Sequence, residues 1–240
     1  MTAAPCLSVV IPAFDEARRL PPYLHEVVGF LESRGEPWEV IVVDDGSTDG
    51  TAAVVREVAE HQPGVRLLPF GRNRGKGAAV RAGMLAARGA FRLFTDADGA
   101  TPIAELKRLE AALGPGTDVV IGSRALPVPA VAVRARRQRV VVGRVFNWLV
   151  ARLGVRGIAD SQCGFKLFTG AAAERLFETL ETSGFAFDVE LLLRAQKAGY
   201  HVVEVGVNWA DQERSRVGVL TTGPGMLLES ARARWRVGRK

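Results

Sequence analysis

The chain has 240 residues, 48% of them hydrophobic, and a formal net charge of +6; that admits one domain or two small ones, each with a real core. No run reaches ~18 uncharged apolar residues, so no membrane-spanning helix is expected, and the opening MTAAPCLSVVIPAF lacks the basic region of a secretory signal. The two cysteines, Cys6 and Cys163, lie too far apart to give a disulfide framework and fit a reducing cytoplasm.

The charge is unevenly placed. Between Val119 and Ala159 there are eight arginines and no acid, and the tail after Ser230 adds Arg232, Arg234, Arg236, Arg239 and Lys240. Two basic segments in an otherwise balanced chain point to a phosphorylated substrate, an anionic membrane surface or nucleic acid.

Leu7–Ala13 is a continuous apolar run, as a strand covered on both faces requires. Glu16–Ser33 carries Leu20, Tyr23, Leu24, Val27, Val28 and Leu31 at helical spacing. Glu39–Asp44 is a second strand; it runs into the turn Asp44–Thr51, which caps a helix over Thr51–Glu60. Val65–Pro69 is a third strand, followed by the loop Gly71–Gly77 and a small-residue helix through Ala87. Ala90–Thr95 is a fourth strand, Pro102 suits the first turn of a helix to about Leu113, and Asp118–Gly122 is a fifth strand. This alternation predicts an α/β fold with a mostly parallel central sheet flanked by helices. Such sheets bind ligands at the carboxyl ends of their strands, so the polar segments at 12–16, 44–49, 71–77 and 96–98 should meet along one rim.

Beyond residue 122 the pattern changes. Arg124–Arg139, with Pro127 and Pro129, reads as a basic loop, and Val140–Leu153 as an amphipathic helix. Asp160–Phe168 is a turn plus a short strand, Ala171–Leu180 and Phe187–Ala198 are helical, and His201–Trp209 is a strand. Asp211–Thr222 is polar loop, and Gly225–Val237 a short amphipathic helix. The expected organisation is one domain over 1–240, with a first half to about 122, a second half over 123–222 and a basic amphipathic tail over 223–240.

Asp96 and Asp98 lie one residue apart at the end of an apolar strand, and residues two apart on an extended chain point the same way. Two hard oxygen ligands at the mouth of a sheet suit Mg²⁺ or Mn²⁺ holding a diphosphate; a capping turn is the plainer alternative. The first strand end, Pro12-Ala13-Phe14-Asp15-Glu16, lacks the glycine fingerprint of dinucleotide folds. There, Phe14 can flank a nucleobase and Glu16 accept from ribose or base, or the segment is an ordinary acidic first turn. Asp44 and Asp45 place two adjacent carboxylates at the next strand end, for ribose, base or metal support, or as a capping turn. The loop Gly71–Gly77 fails the spacing rule of an ATPase phosphate loop; a basic glycine loop at a helix start still suits an anion, and a solvated turn is the plainer alternative. Asp160, Asp188 and Glu190 are the carboxylates downstream, with Asp188 either a helix cap or a base or ligand to sugar hydroxyls. Base-stacking aromatics are absent among the arginines until Phe146 and Trp148, so nucleic acid is not expected. Arg136-Arg137 ahead of an amphipathic helix fits an anionic headgroup layer better.

The segments VVIPAFDE, VVDDGSTDGT, RNRGKGAAVRAG, TDADGAT, VIGSR and DSQCGFKLF together resemble the family-2 (GT2) inverting glycosyltransferases of GT-A, Rossmann-like fold, over about Leu7–Val217. Within that family the likeness is to the dolichyl-phosphate (polyprenyl-phosphate) β-glucosyltransferases, with the polyprenyl-phosphate mannosyltransferases next; the mannosyl branch usually has Leu-Gln after its aspartates, where this chain has Gly99-Ala100. The resemblance implies a donor site of Pro12, Ala13, Phe14, Glu16, Asp44 and Asp45 around the nucleoside, and Asp96, Ala97 and Asp98 at ribose, diphosphate and metal. It puts Lys76 at the donor rim, and Arg124 with one of Arg134–Arg139, Arg137 being singled out, at the acceptor phosphate. Arg216 stands where relatives carry Lys in a Gly-Ser-Lys-like turn facing the diphosphate, and the N-terminal membrane helix of the eukaryotic enzymes is lacking.

The implied reaction moves a hexose, glucose from UDP-glucose before mannose from GDP-mannose, onto a polyprenyl phosphate with inversion. An anionic phosphate nucleophile needs no strong base; it needs cations beside it, and the arginines supply them. The expected location is cytoplasmic and peripheral, on the inner face of the cell membrane, through Val140–Leu153 and the Arg-rich tail. Transfer to a hydroxyl of a soluble sugar or small molecule is the alternative, and would require Asp188 or Asp160 as base. A non-catalytic nucleic-acid or membrane binder would have no use for the Asp96/Asp98 pair.

Overall fold

The computed structural model describes residues 5–134, 137–212 and 219–239, the side chains of 137–139 and 219–222 excepted. Strands β1 (Leu7–Ala13), β2 (Trp38–Asp44), β3 (Val65–Pro69) and β4 (Phe91–Thr95) lie parallel, with helices α1 (Leu20–Glu32), α2 (Thr51–His61) and α3 (Lys76–Ala86) between them. A 3-10 turn at Ile103–Glu105 and α4 (Leu106–Ala111) lead to β5 (Thr117–Ser123). Then come β6 (Val133–Arg134), α5 (Arg137–Arg152), β7 (Phe165–Thr169), α6 (Gly170–Thr179), α7 (Phe187–Lys197), β8 (His201–Gly206), β9 (Trp209–Ala210) and α8 (Val219–Arg239). Seven strands form one sheet in the order β3-β2-β1-β4-β7-β5-β8, so strands from both sides of residue 122 share it; β6 and β9 pair separately.

The apolar strands are covered on both faces because successive residues point to opposite sides. Val10 and Phe94 join one core cluster with Ile41, Phe168, Phe177 and Phe187. Their neighbours Val9, Ile11 and Leu93 join the other, with Leu24, Val40 and Phe165. Each such side chain, fully buried, contributes about 1.5–3 kcal/mol.

One strand breaks the parallel rule. β7 lies antiparallel between β4 and β5, with Thr95 opposite Phe165. Its beginning therefore sits at the rim where the parallel strands end. The turn that precedes it, residues 160–164, arrives beside Asp96, and Asp96 N–H donates to the Gly164 carbonyl at 3.1 Å.

Several expected boundaries shift. Helix α1 starts at Leu20, not Glu16; residues 16–19 make a turn closed by Leu20 N–H on the Glu16 carbonyl at 2.9 Å, and prolines occupy the helix's first turn. The helix expected from Pro102 is split into the 3-10 turn and α4. The strand expected over 201–209 stops at Gly206, because Asn208 donates from N and Nδ2 to Glu105 at 3.1 and 2.7 Å and turns the chain. Trp209–Ala210 then pair with Val133–Arg134, inside the segment expected to be loop. The tail helix begins at Val219 rather than Gly225 and carries Pro224 within it. No described helix is long and apolar enough to cross a membrane. Cys6 and Cys163 are both free thiols.

Candidate active site

The first two strand ends are stitched to each other. Asp15 adopts φ +50°, rare for a side-chain-bearing residue. It is held there by its own N–H on Ser47 Oγ at 2.8 Å and by Thr48 N–H on its Oδ1 at 2.8 Å. Glu16 N–H donates to Thr51 Oγ1 at 2.8 Å, while the Glu16 carboxylate takes both Nε and Nη2 of Arg19. Phe14 is partly exposed at the tip. Asp44 is buried and accepts Ser47 N–H at 3.0 Å.

Asp45 fixes the basic loop. Its two oxygens accept the backbone amides of Arg74 and Gly75 at 2.7 and 2.9 Å. Burial, foremost, with Asp44's charge behind it, raises the Asp45 carboxyl above its ordinary range despite those two bonds. Gly46 lets the loop approach: a Cβ there would lie 2.4 Å from the Arg72 carbonyl carbon. Lys76, the first residue of α3, is thereby placed at the end of β4.

There Lys76 Nζ lies 2.6 Å from Asp96 Oδ1. Burial works against the Lys76 ammonium, but the charges of Asp96, Asp188 and Asp98 outweigh it and raise its pKa. Asp98 is half-buried; burial and then the charge of Asp96 raise its carboxyl above the usual range. The side chain of Asp96 is 36% exposed, so this end of the site opens outward. Gly164 makes the room: a Cβ at that position would sit 2.0 Å from Asp96 Oδ2.

The donor set fits a hard divalent cation that brings its own phosphate ligands. Two carboxylates line the cavity where a cation, Lys76, is already drawn in, and the Asp98 carboxyl ionises at a cost that a cation would lower. Among the described residues no group of three or more His, Cys, Asp or Glu could enclose an ion; one or two carboxylates plus substrate oxygens are what Mg²⁺ usually takes.

A cavity of about 370 Å³ extends from this point. Lys76, Asp96, Asp98 and Asp188, Arg124 and Asp160, and the apolar Val133, Val140, Phe146, Phe185, Trp209 and Met226 are among the residues that line it. Residues 12–16 and 44–45 are not in its lining; they form the adjoining β1 and β2 ends. Arg124 does not hang free. Its Nε and Nη2 donate to Asp160 Oδ2 and Oδ1 at 2.7 and 2.8 Å, and its backbone N–H donates to Oδ2 at 3.0 Å. Asp160 is buried and, although burial opposes ionisation, Arg124 holds its carboxyl below the ordinary range. The guanidinium carbon lies 5.4 Å from the Trp209 ring centroid. Asp188 projects from the first turn of α7, and Lys166 Nζ meets its Oδ1 at 2.6 Å. The backbone of Arg137 opens α5. Arg216 lies outside the described residues.

Three contributors escape a reading of the sequence alone: Gly164, Lys166 and Glu204. Glu204 of β8 accepts the N–H groups of Ala159 and Asp160 at 2.9 and 2.8 Å and so anchors the turn. Only Lys166 leaves a signal, a lysine inside the apolar strand Phe165–Thr169.

Residues 8–177 match the family described as Glycosyl transferase family 2. The dolichyl-phosphate β-glucosyltransferase of Dictyostelium discoideum is 39% identical over 242 residues, covering 96% of this chain and 74% of that protein. The human dolichyl-phosphate β-glucosyltransferase is 41% identical over 226 residues, 88% of this chain and 69% of that one. Among solved structures, the glucosyl-3-phosphoglycerate synthase of Mycobacterium tuberculosis, in complex with Mn²⁺ and UDP-glucose, superposes with a TM-score of 0.72 at 19% identity, over 96% of this chain and 79% of that one, which is a likeness of fold. With the family match over most of the chain and relatives this similar over most of their own length, the chain belongs to glycosyl transferase family 2 and is a glycosyltransferase similar to the dolichyl-phosphate β-glucosyltransferases.

Proposed function

We propose that the protein transfers glucose from UDP-glucose to a polyprenyl phosphate with inversion at the anomeric carbon. The observation that carries this is the cavity itself, whose one lining combines the acidic pair, Lys76, Arg124 and apolar side chains. A sugar nucleotide meeting a phosphate on a long apolar chain calls for that combination of groups. The curated relatives named for dolichyl phosphate and glucose support the substrates. The synthase of the same fold solved in complex with Mn²⁺ and UDP-glucose is a precedent for the donor.

In this reading Pro12, Ala13, Phe14, Glu16, Asp44 and Asp45 border the nucleoside; a carboxylate has lone pairs for more than two donors, so Asp45 serves both the loop and a base. Asp96 and Asp98 would hold Mg²⁺ or Mn²⁺, which when bound neutralises charge on the diphosphate. Lys76 adds a fixed positive charge beside the same oxygens. Asp160 presents Arg124 in a set orientation, and its remaining N–H groups, with Arg137, receive the acceptor phosphate; guanidinium matches phosphate geometrically. An acceptor phosphate oxygen forms the bond to the anomeric carbon. The bond from that carbon to the diphosphate oxygen breaks, and its electron pair leaves with UDP. The nucleophile is already ionised at neutral pH, so no group need take a proton from it.

The helices beyond the cavity supply the approach to the lipid. Helix α5 packs on α8. Val141, Val145, Trp148, Leu228 and Trp235 are exposed on them, with Arg152 and Arg239 stacked on Trp148 and Trp235 at 4.5 and 3.8 Å. Apolar and aromatic groups edged with arginine suit reversible attachment to an anionic membrane surface.

The test is transfer of labelled glucose from UDP-glucose, with GDP-mannose in parallel, to a short polyprenyl phosphate in Mn²⁺. Formation of a glucosylated lipid that requires Asp98 is the expected result. Transfer only to soluble hydroxyl acceptors, or from GDP-mannose alone, overturns the reading.

A further inference from the structure

Lys166 is the second residue of β7, paired in register with Phe94 on one side and Ile121 on the other. It is a central strand position on a fully covered sheet, and the lysine is 0% exposed. A charge there costs several kcal/mol in desolvation, and an apolar residue of similar volume often serves stability as well or better. Something other than stability therefore accounts for it.

Its contacts say what. Nζ donates to the Cys163 carbonyl at 2.5 Å and to Asp188 Oδ1 at 2.6 Å. It lies 5.7 Å from the centroid of the Phe94 ring, and Lys76 Nζ lies 5.5 Å from the same centroid. The charged groups facing Asp188 are thus Lys166 from β7, Lys76 from α3 and Asp96 beyond β4. Among the described residues Lys166 is the one donor bonded to Asp188, and it takes Oδ1, while the residue lines the cavity beside Lys76, Asp96 and Asp98. Burial pushes the Asp188 carboxyl up, and Lys166 first, then Lys76, opposes that. With a phosphate as nucleophile, no base is required of Asp188. A buried anion with one oxygen clamped from behind is suited to accept a hydroxyl hydrogen at a fixed place.

We propose that Lys166 is a positioning residue, which clamps Asp188 so that its second oxygen meets a hydroxyl of the donor's hexose. The inference rests on the nucleotide-sugar reading above. It separates the two parts of the donor: the strand ends and the acidic pair hold the nucleoside diphosphate, and the Lys166–Asp188 pair holds the sugar.

The experiment measures binding of UDP and of UDP-glucose, in Mn²⁺, to the wild type, Lys166→Met, Asp188→Asn and the double variant, with melting temperatures alongside. Lys166→Met is expected to weaken UDP-glucose about tenfold and to leave UDP within about twofold, and Asp188→Asn to do the same. Because Lys166 acts through Asp188, the double variant should bind UDP-glucose no worse than Asp188→Asn alone. The double variant should also recover melting temperature relative to Lys166→Met, since no buried charge is left unpaired, without recovering the sugar's share of affinity. Parallel loss of UDP and UDP-glucose, unchanged UDP-glucose affinity, or recovered affinity in the double variant overturns the proposal. Should Lys166→Met fail to fold, the comparison of the double variant with Asp188→Asn decides, and any further loss there overturns it. A wild type that binds no UDP-glucose overturns the nucleotide-sugar reading itself; a wild type that binds it while Lys166→Met is unaffected overturns only the role of Lys166.

Discussion

The side of the site proposed for the donor and the side proposed for the acceptor are built differently. On the donor side, the segments at 13–17, 44–51 and 71–75 are tied to one another by Asp15, Asp45 and Thr51 through bonds of 2.7–2.9 Å to fixed backbone amides. On the acceptor side, α5 and α8 expose Trp148 at 55% and Trp235 at 59%, with Arg152 and Arg239 against their rings. A rim knitted from backbone amides suits a ligand of fixed shape and charge, because its geometry is set before binding. A half-open apolar surface suits a long chain that has no shape to match. The join between them is the turn at 160–164, which clamps Arg124 with Asp160 on one side and makes room for Asp96 with Gly164 on the other.

The contrast can be broken at its most preorganised point. Asp98→Asn should lower kcat about 1000-fold and abolish Mn²⁺-dependent UDP binding, the size of effect seen when a charge-stabilising group is removed; binding by titration calorimetry and turnover with labelled donor would check it. Next is Gly164→Ala. The added Cβ must displace Asp96, so a loss of about 100-fold in kcat is expected from misplacement alone, with circular dichroism unchanged.

The join is tested by Asp160→Asn, which should destabilise the fold by about 2 kcal/mol, discounted because Arg124 is about one-third exposed. The pH dependence follows from the sign of the shift. The folded carboxyl of Asp160 titrates below its ordinary 3.8, so its contribution is complete above that value and disappears as pH falls through the lower folded value. Urea melts from pH 6 down to pH 2 should show that acid limb in the wild type and a shallower one in Asp160→Asn. The smallest effect belongs to the open side. Trp148→Ala with Trp235→Ala should weaken sedimentation with anionic vesicles roughly tenfold and leave the melting temperature unchanged; vesicle binding equal to the wild type would remove α5 and α8 from the membrane surface.

Much of the donor side is legible in the chain because it rests on local rules. Apolar runs of five to seven residues ending in Pro, Asp or Gly mark β1 to β4 within a residue or so, and parallel strands deliver their ends to one rim. The acceptor side is less legible. The strand expected over 201–209 ends early because Asn208 bonds to Glu105, a residue far earlier in the chain. The arginines of 124–139 read as loop because a two-residue pairing with Trp209–Ala210 has no periodicity to announce it. Arg124 reads as a cation for substrate; that Asp160 already holds its fork depends on a contact 36 residues away.

The aspartate pair at the end of β4 shows where the division falls. Sequence by itself determined that Asp96 and Asp98 fall at the end of a strand; β4 stops at Thr95, and Asp98 lies in the turn that follows, where its Oδ1 accepts Ala100 N–H at 3.1 Å, so strand alternation is not what brings the pair together. Sequence also determined the α/β alternation, the basic segment and the family. Only the tertiary structure decided what stands around the pair. β7 enters the sheet antiparallel, so its leading turn, not its trailing one, reaches the rim. That single reversal brings Gly164 against Asp96, Asp160 against Arg124 and Lys166 under Asp188. The direction of β7 follows from its pairing with β4 on one side and β5 on the other, a property of the whole sheet that no local run of residues contains.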